Sequence, residues 1–192
     1  PSNLYDWRLI PETALAAVTN GKVFVDNLGE FTEIRNKLSE YFPEDIRLNK
    51  IATRCMKIAQ SGQYNFPRCM KRDETVAARM AETEFIDEAV HMIYLLNRVY
   101  KPFYKWFHRR LKELPILGEE THVMIGKLVK FPFDETYRKV EIIEKICANI
   151  ITEMKRQGII EVIKSDFLLN YGPEIQASIK DEKLRNWSPW LD

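Results

Sequence analysis

Between Val76 and Leu96 the apolar residues Val76, Ala77, Met80, Ala81, Phe85, Ala89, Met92, Ile93 and Leu96 recur at the three- and four-residue spacing of a helix. Toward the end of that run Ile93, Tyr94, Leu95 and Leu96 leave almost no polar side. A helix that is apolar around most of its circumference has to be surrounded, so the rest of the chain must supply amphipathic partners that bury it. The spacing predicts this central helix over Asp73–Tyr100, broken by Pro102, whose ring and missing N–H cannot continue it.

Candidate partners lie on both sides. Phe31, Ile34, Leu38 and Phe42 mark one face of a helix over Glu30–Tyr41. Pro43 restarts the chain, with Glu44 and Asp45 beside the positive end of the new helix, which runs through Ile51, Ala52, Cys55, Ile58 and Ala59 to a stop at Ser61-Gly62. Shorter helices follow over Phe103–Leu114 and Glu119–Lys130. Ile143, Ile146, Cys147, Ile150, Ile151 and Met154 give the cleanest stripe, ending at Gly158; Ile160–Leu169 and Pro173–Leu184 complete the set. Upstream, Pro11 opens a short helix capped at Asn20-Gly21, and Lys22–Asp26 is the single stretch that reads as extended. The expected architecture is therefore all-α, a multi-helix bundle of about seven or eight helices with a short extended N-terminal segment. Residues 1–28 form an N-terminal extension with one short helix and a short strand, 29–185 the bundle, and 186–192 a tail that docks by Trp187 and Trp190.

At 192 residues the chain has material for one such core. Its formal net charge of +1 gives no global field toward nucleic acid or an anionic membrane, so any attraction has to be local. No apolar run reaches the roughly 18 residues needed to span a bilayer, and the opening residues lack the basic flank and apolar stretch of a secretion signal. Three isolated cysteines, Cys55, Cys69 and Cys147, suit neither a disulfide framework nor a zinc site. A cytoplasmic protein without a membrane partner is the expectation.

Motifs for chemistry are missing. There is no glycine-rich phosphate loop of either usual kind, no Cys-x-x-Cys, no His-Glu-x-x-His, and His91, His108 and His122 lack ligand spacing. No catalytic residue and no metal ligand is assigned. Distribution says more. Arg47, Lys50, Arg54, Lys57, Arg68, Lys71 and Arg72 fall between Ile46 and Arg72 with no acidic residue among them. Arg98, Lys101, Lys105, Arg109, Arg110 and Lys112 do the same between Asn97 and Lys112, interleaved with Tyr100, Phe103, Tyr104, Trp106 and Phe107. Cations beside aromatic rings suit phosphates and stacked nucleobases; the alternative is that the rings fill the core while the cations line the solvated face of the same helix. The segment Ser61–Cys69, polar and punctuated by Gly62 and Pro67, reads as a connection that presents Gln63, Tyr64, Asn65 and Arg68, or else ties itself to helix ends. Glu84 and Glu88, four apart, share a face and serve either a metal or nearby cations.

Several of these segments carry a resemblance. Trp7, Pro11-Glu12, Leu15, Thr19–Asp26, Tyr41–Asp45, Gln60–Asn65 and above all Leu95-Leu96-Asn97-Arg98-Val99-Tyr100-Lys101-Pro102-Phe103-Tyr104-Lys105-Trp106 resemble a bacterial family known as domain of unknown function 4037, over about residues 5–115. In that family the helical region usually follows a nucleotidyltransferase-like domain, whose signature is a Gly-Ser turn and a distant Asp-x-Asp that binds two magnesium ions and the nucleotide phosphates. Neither is present here. The resemblance therefore implies that the catalytic strands lie upstream of Pro1, and that this chain is a helical substrate-binding or accessory domain, inactive alone, with no cofactor of its own. Magnesium and nucleotide would belong to the missing domain, which is the expected partner together with a second copy of the chain or a nucleic acid. The resemblance also gathers Gln63, Tyr64, Asn65, Arg68, Asn97, Arg98, Tyr104, Lys105 and Trp106 as ligand-binding candidates on a shared face. The competing expectation is a stand-alone nucleotide- or RNA-binding or dimerisation module.

Overall fold

Residues 44–71 form one uninterrupted helical rod, where the sequence predicted a helix and then a loop. In the structure of the chain, a computed structural model that describes Pro1 and residues 3–192, α1 (Asp6–Leu9), α2 (Glu12–Thr19) and α3 (Glu30–Ser39) precede this rod. The rod is α4 (Glu44–Ile58), a π-helical segment (Ala59–Asn65) and α5 (Phe66–Lys71). It is followed by α6 (Thr75–Leu96), α7 (Tyr104–Leu111), α8 (Gly118–Lys130), α9 (Thr136–Arg156), a 3-10 turn at Leu168–Asn170, α10 (Gly172–Ala177) and α11 (Glu182–Arg185). Among the described residues every regular element is helical, which is the multi-helix all-α architecture expected.

The core is built on α4, α6 and α9. Arg47 at the start of α4 donates through Nε to the carbonyl of Leu95 at the end of α6 (2.9 Å), whereas Gly62, past the end of α4, lies against Phe85. These two helices are therefore antiparallel. Helix α9 runs parallel to α6, with buried Lys139 donating to Glu82 (2.6 Å) near its start and Gln157 donating to the Leu96 carbonyl (2.9 Å) just beyond its end. From Glu88 to Leu96 every residue of α6 is buried, as its all-round apolar character requires. Helix α10 packs on α4, and α8 packs on α7 and α9.

Gly62 does not stop the helix because it serves a different purpose. A Cβ there would fall on the Phe85 ring, 2.8 Å from Cε2 and 2.9 Å from Cγ, so glycine is what lets the rod approach α6. The wider π turn carries the rod past that contact. Lys22–Asp26, expected as a short strand, is irregular and joins no ladder; Phe24 and Val25 are 92% and 77% exposed. A single strand with no partner cannot satisfy its backbone. Ile160–Leu169 is not a helix either, apart from the 3-10 turn at its end. The Tyr171 hydroxyl accepts from the backbone N–H groups of Lys164 and Ser165 (both 3.0 Å) and donates to the Ser165 carbonyl (2.7 Å), which fixes the chain as a loop. On α3, Phe31 and Ile34 are half exposed while Leu38 is buried, as is Phe42 beyond the helix end.

Helix α6 ends at Asn97 with the N–H of Arg98 bonded to the Leu95 carbonyl (3.2 Å) and that of Val99 to the Tyr94 carbonyl (3.1 Å). This double closure places the residue after the cap in the left-handed region. In the similar termination of α9 that residue is Gly158 (φ 70°); here it is Arg98 (φ 54°).

Candidate functional site

The first group of sequence candidates is largely engaged within the fold. The Gln63 amide donates to Glu144 (2.7 Å) and to the Asp166 carbonyl (2.8 Å) and accepts from the Leu168 N–H (3.0 Å), which clamps the 164–168 loop to the π segment. Asn65 is half buried where the π segment passes into α5. Tyr64 is 48% exposed, with the Arg68 guanidinium 4.6 Å from its ring centre. In the second group Asn97 donates to the carbonyls of Ile93 (2.8 Å) and Ile116 (2.9 Å) and accepts from the Ile116 N–H (2.9 Å), so it holds the turn after α7. Arg98 pairs with Glu44 at 2.7 Å on the surface. Because α4 and α6 are antiparallel, Asn97 and Arg98 sit at the start of α4, where Arg98 meets Glu44, and Gln63–Arg68 lie beyond its other end, about 22 Å away at 1.5 Å per residue over the 15 residues of α4. The structure does not place them on one face.

What the structure does assemble is a groove between α2 and α7. Thr13, Ala16, Ala17 and Asn20 form one wall, and Pro102, Phe103, Trp106 and Arg110 the other, around a volume of about 610 Å³. Small residues on α2 keep the groove open, while Phe103, Tyr104 and Trp106 are each at least half exposed. The Phe103 and Tyr104 ring centres are 4.5 Å apart, and the Arg109 guanidinium lies 5.1 Å from the Trp106 ring. The basic-aromatic run thus divides. Tyr100 goes to the core and donates to the Leu38 carbonyl (2.7 Å), Phe107 packs against the core, and the other three rings face outward among cations.

The groove is held by a network of charges that the spacing did not reveal. Glu12, at the start of α2, accepts from the Lys101 backbone N–H (2.7 Å) and from His91 Nε2 (2.6 Å). His91 Nδ1 faces Arg54 Nη1 at 2.6 Å. A guanidinium only donates, so Nδ1 accepts and the imidazole is the neutral Nε2–H form. Burial and the neighbouring Arg54 push His91 down in pKa, against the pull of Glu12. Burial alone would push Glu12 up, but His91, Lys50 and the Lys101 N–H more than offset it and leave its carboxyl below the usual range. Arg54 continues to Glu88 (2.5 Å) and Asp192 (2.8 Å); Lys57 reaches Glu88, and Lys50 reaches Asp192, each at 3.4 Å. Glu88 thus answers cations, while Glu84 stays exposed. Lys50, Arg54 and Lys57 follow one another at helical intervals, a shared face that was visible in the sequence; the burial of Lys50 and Arg54 was not, because the groups that meet them, Glu88, His91 and Asp192, come from elsewhere in the chain. Among the described residues no group of three His, Cys, Asp or Glu is placed to hold a metal, and no helix is long and apolar enough to cross a membrane.

No curated protein matches the chain, and no solved structure does. One family does, over residues 7–107, which takes in α2, the charged network's histidine and most of the α7 wall of the groove. The chain belongs to the family described as Domain of unknown function (DUF4037).

Proposed function

We propose that this chain is the helical substrate-binding or accessory domain of a nucleotidyltransferase-like protein, inactive alone, and that the groove between α2 and α7 receives the nucleotide. The observation that carries the reading is the outward exposure of Phe103, Tyr104 and Trp106 on a helix with no acidic residue between Asn97 and Lys112. Exposing aromatic rings in this way forfeits their burial, roughly 1.5–3 kcal/mol for a phenylalanine. A stacked nucleobase restores about 1–3 kcal/mol per ring, and Lys105, Arg109 and Arg110 supply charge for the phosphates. The magnesium-binding aspartates of such an enzyme have no counterpart here and would come from a partner domain, in a bacterial cytoplasm. Titration calorimetry with ATP tests this. Binding in the micromolar to millimolar range should weaken at least about tenfold in Trp106→Ala, the value of one lost stack. Equal affinity in wild type and Trp106→Ala removes the reading.

A second reading, a free-standing RNA-binding module, draws on Lys105 and Arg109, which make no ion pair among the described residues. It requires single-stranded RNA to bind more tightly than ATP, with an affinity that falls steeply as salt is raised. Salt-independent or absent RNA binding rejects it.

A further inference from the structure

The charged network runs from Glu12 through His91 and Arg54 to Asp192. Asp192 reaches its partners from a shallow tail in which Trp190 is 37% and Leu191 59% exposed. Its carboxylate nevertheless ends among deeply buried cations: Arg54, 3% exposed, at 2.8 Å, and Lys50, 8% exposed, at 3.4 Å. Those cations are not arranged by the tail. Both project from α4, and Arg54 is fixed independently by Glu88 (2.5 Å) and His91 (2.6 Å). A third cation, Lys57, leans on Glu88 at 3.4 Å, and a fourth, Arg8, is near enough for Asp192 to stabilise its charge. Arg8 stacks 3.6 Å over the Trp187 ring and leaves its buried Nε without a hydrogen-bond partner.

With the tail in place four cations, Lys50, Arg54, Lys57 and Arg8, face three carboxylates, Glu12, Glu88 and Asp192, with His91 neutral. Withdrawing Asp192 deepens the positive excess by one charge, a strongly unfavourable condition unless another anion enters. Burial by itself would raise the Asp192 carboxyl, but the charges of Arg54, Lys50 and Lys57 together hold it far below the usual carboxylate range, in keeping with a niche that attracts negative charge.

We propose that Lys50, Arg54 and Lys57, flanked by Arg8, form an oxyanion-binding site for a phosphate or carboxylate group, and that Asp192 occupies it as an internal, displaceable anion. The niche offers what a small oxyanion needs: a guanidinium edge fixed from two sides, a lysine ammonium with donors to spare, and low local dielectric. Binding there expels the tail, so ligand and tail exclude each other. The site goes beyond the nucleotide reading and shares none of the groove's residues.

The test uses the full chain and two probes, inorganic phosphate and acetate, with chloride at matched ionic strength as the reference. In Asp192→Ala, millimolar phosphate should raise the melting temperature well beyond its effect on the native chain, with affinity tightened about tenfold or more once the internal competitor is gone. Adding Lys50→Ala to Asp192→Ala should abolish that gain. If acetate matches phosphate the ligand is a carboxylate; if phosphate alone acts it is a phosphate group. Either result supports the site. An Asp192→Ala chain that folds with no anion-specific stabilisation, or one whose stabilisation survives Lys50→Ala, overturns it. Should Asp192→Ala fail to fold, trypsin cleavage after Lys183 and Arg185 of the native chain gives the answer: phosphate must accelerate it over chloride, and no acceleration overturns the proposal. Trp106→Ala should leave all of these results unchanged, so failure of the groove and failure of this site are separable.

Discussion

Replacing Glu12 by glutamine changes one oxygen to a nitrogen and tests whether the charged network positions the groove. The native carboxylate uses both oxygens, Oε1 for the Lys101 N–H at 2.7 Å and Oε2 for His91 Nε2 at 2.6 Å. Both neighbours are donors, and His91 cannot exchange its proton to the other nitrogen because Nδ1 accepts from Arg54 at 2.6 Å. A glutamine amide offers one acceptor and one donor, so one contact becomes a buried donor facing a donor. Losing a charge-assisted hydrogen bond and stranding its partner costs about 1.5–3 kcal/mol. The lost negative charge also leaves Lys50 and Arg54 less well compensated, so the expected destabilisation is about 3 kcal/mol. For a chain of this size that corresponds to a fall in Tm of roughly 6–12 °C. Urea denaturation of Glu12→Gln beside the exposed control Glu40→Gln measures it, the control staying within about 0.5 kcal/mol. Because Glu12 ties α2 to the residue before Pro102, ATP affinity should fall as well. A Glu12→Gln chain within about 1 kcal/mol of wild type, binding ATP normally, refutes the reasoning.

Three further outcomes follow from particular geometries. Arg98→Gly relieves a left-handed backbone that costs a non-glycine residue about 1 kcal/mol and loses only a half-exposed ion pair to Glu44, so stability should stay level or rise by up to about 1 kcal/mol; a loss above about 1 kcal/mol in urea denaturation counts against this. Gly62→Ala drives a methyl into the buried Phe85 ring and should cost about 2–3 kcal/mol by overpacking, and a neutral result would mean the rod can shift away from α6. His91 is held below its ordinary pKa of about 6.5 by burial and by the charges of Arg54 and Lys101, against the pull of Glu12. The unfolded chain therefore takes up a proton in mild acid that the folded chain refuses. That stability is complete above about pH 6.5 and is lost as pH falls toward the folded value, with Glu12 and Asp192, also lowered, adding losses below about pH 4. Tm should drop from about pH 7.5 to pH 5.5 in the native chain and drop less in His91→Gln; equal drops would contradict it.

Periodicity carried the architecture. The all-round apolar end of the central helix, the stripe from Ile143 to Met154 and the prolines at Pro43 and Pro102 each lie where the structure needs them, because these signals report burial of one continuous face. Errors arose where a residue type has two physical uses. Gly62 reads as a helix stop but is there for close approach to Phe85, a contact across elements that no local window contains. Ile160–Leu169 has helical spacing, yet the Tyr171 hydroxyl, six and seven residues further on, takes up its backbone groups and holds it as a loop. The stripe of α3 misled for the opposite reason, since Phe31 and Ile34 find nothing to cover them among the described residues. At the site, the basic-aromatic run from Asn97 to Lys112 marked the α7 wall, but its partner wall on α2 is small and bland, with Ala16 and Ala17 giving no chemical signal. Glu12, His91 and Asp192 were individually unremarkable, and their importance lies in contacts 79 residues apart for His91–Glu12 and at 2.8 Å for Asp192 and Arg54. Sequence spacing cannot display such pairings.

The proposed place of the nucleotide, between α2 and α7, is directly measurable. Photocrosslinking of the native chain with an azido-substituted ATP, followed by peptide mapping of the adducts, should label Phe103–Arg110 and Thr13–Asn20, with labelling suppressed by excess ATP. Adducts concentrated instead around Tyr64 and Arg68, or a pattern that excess ATP leaves unchanged, would contradict the claim.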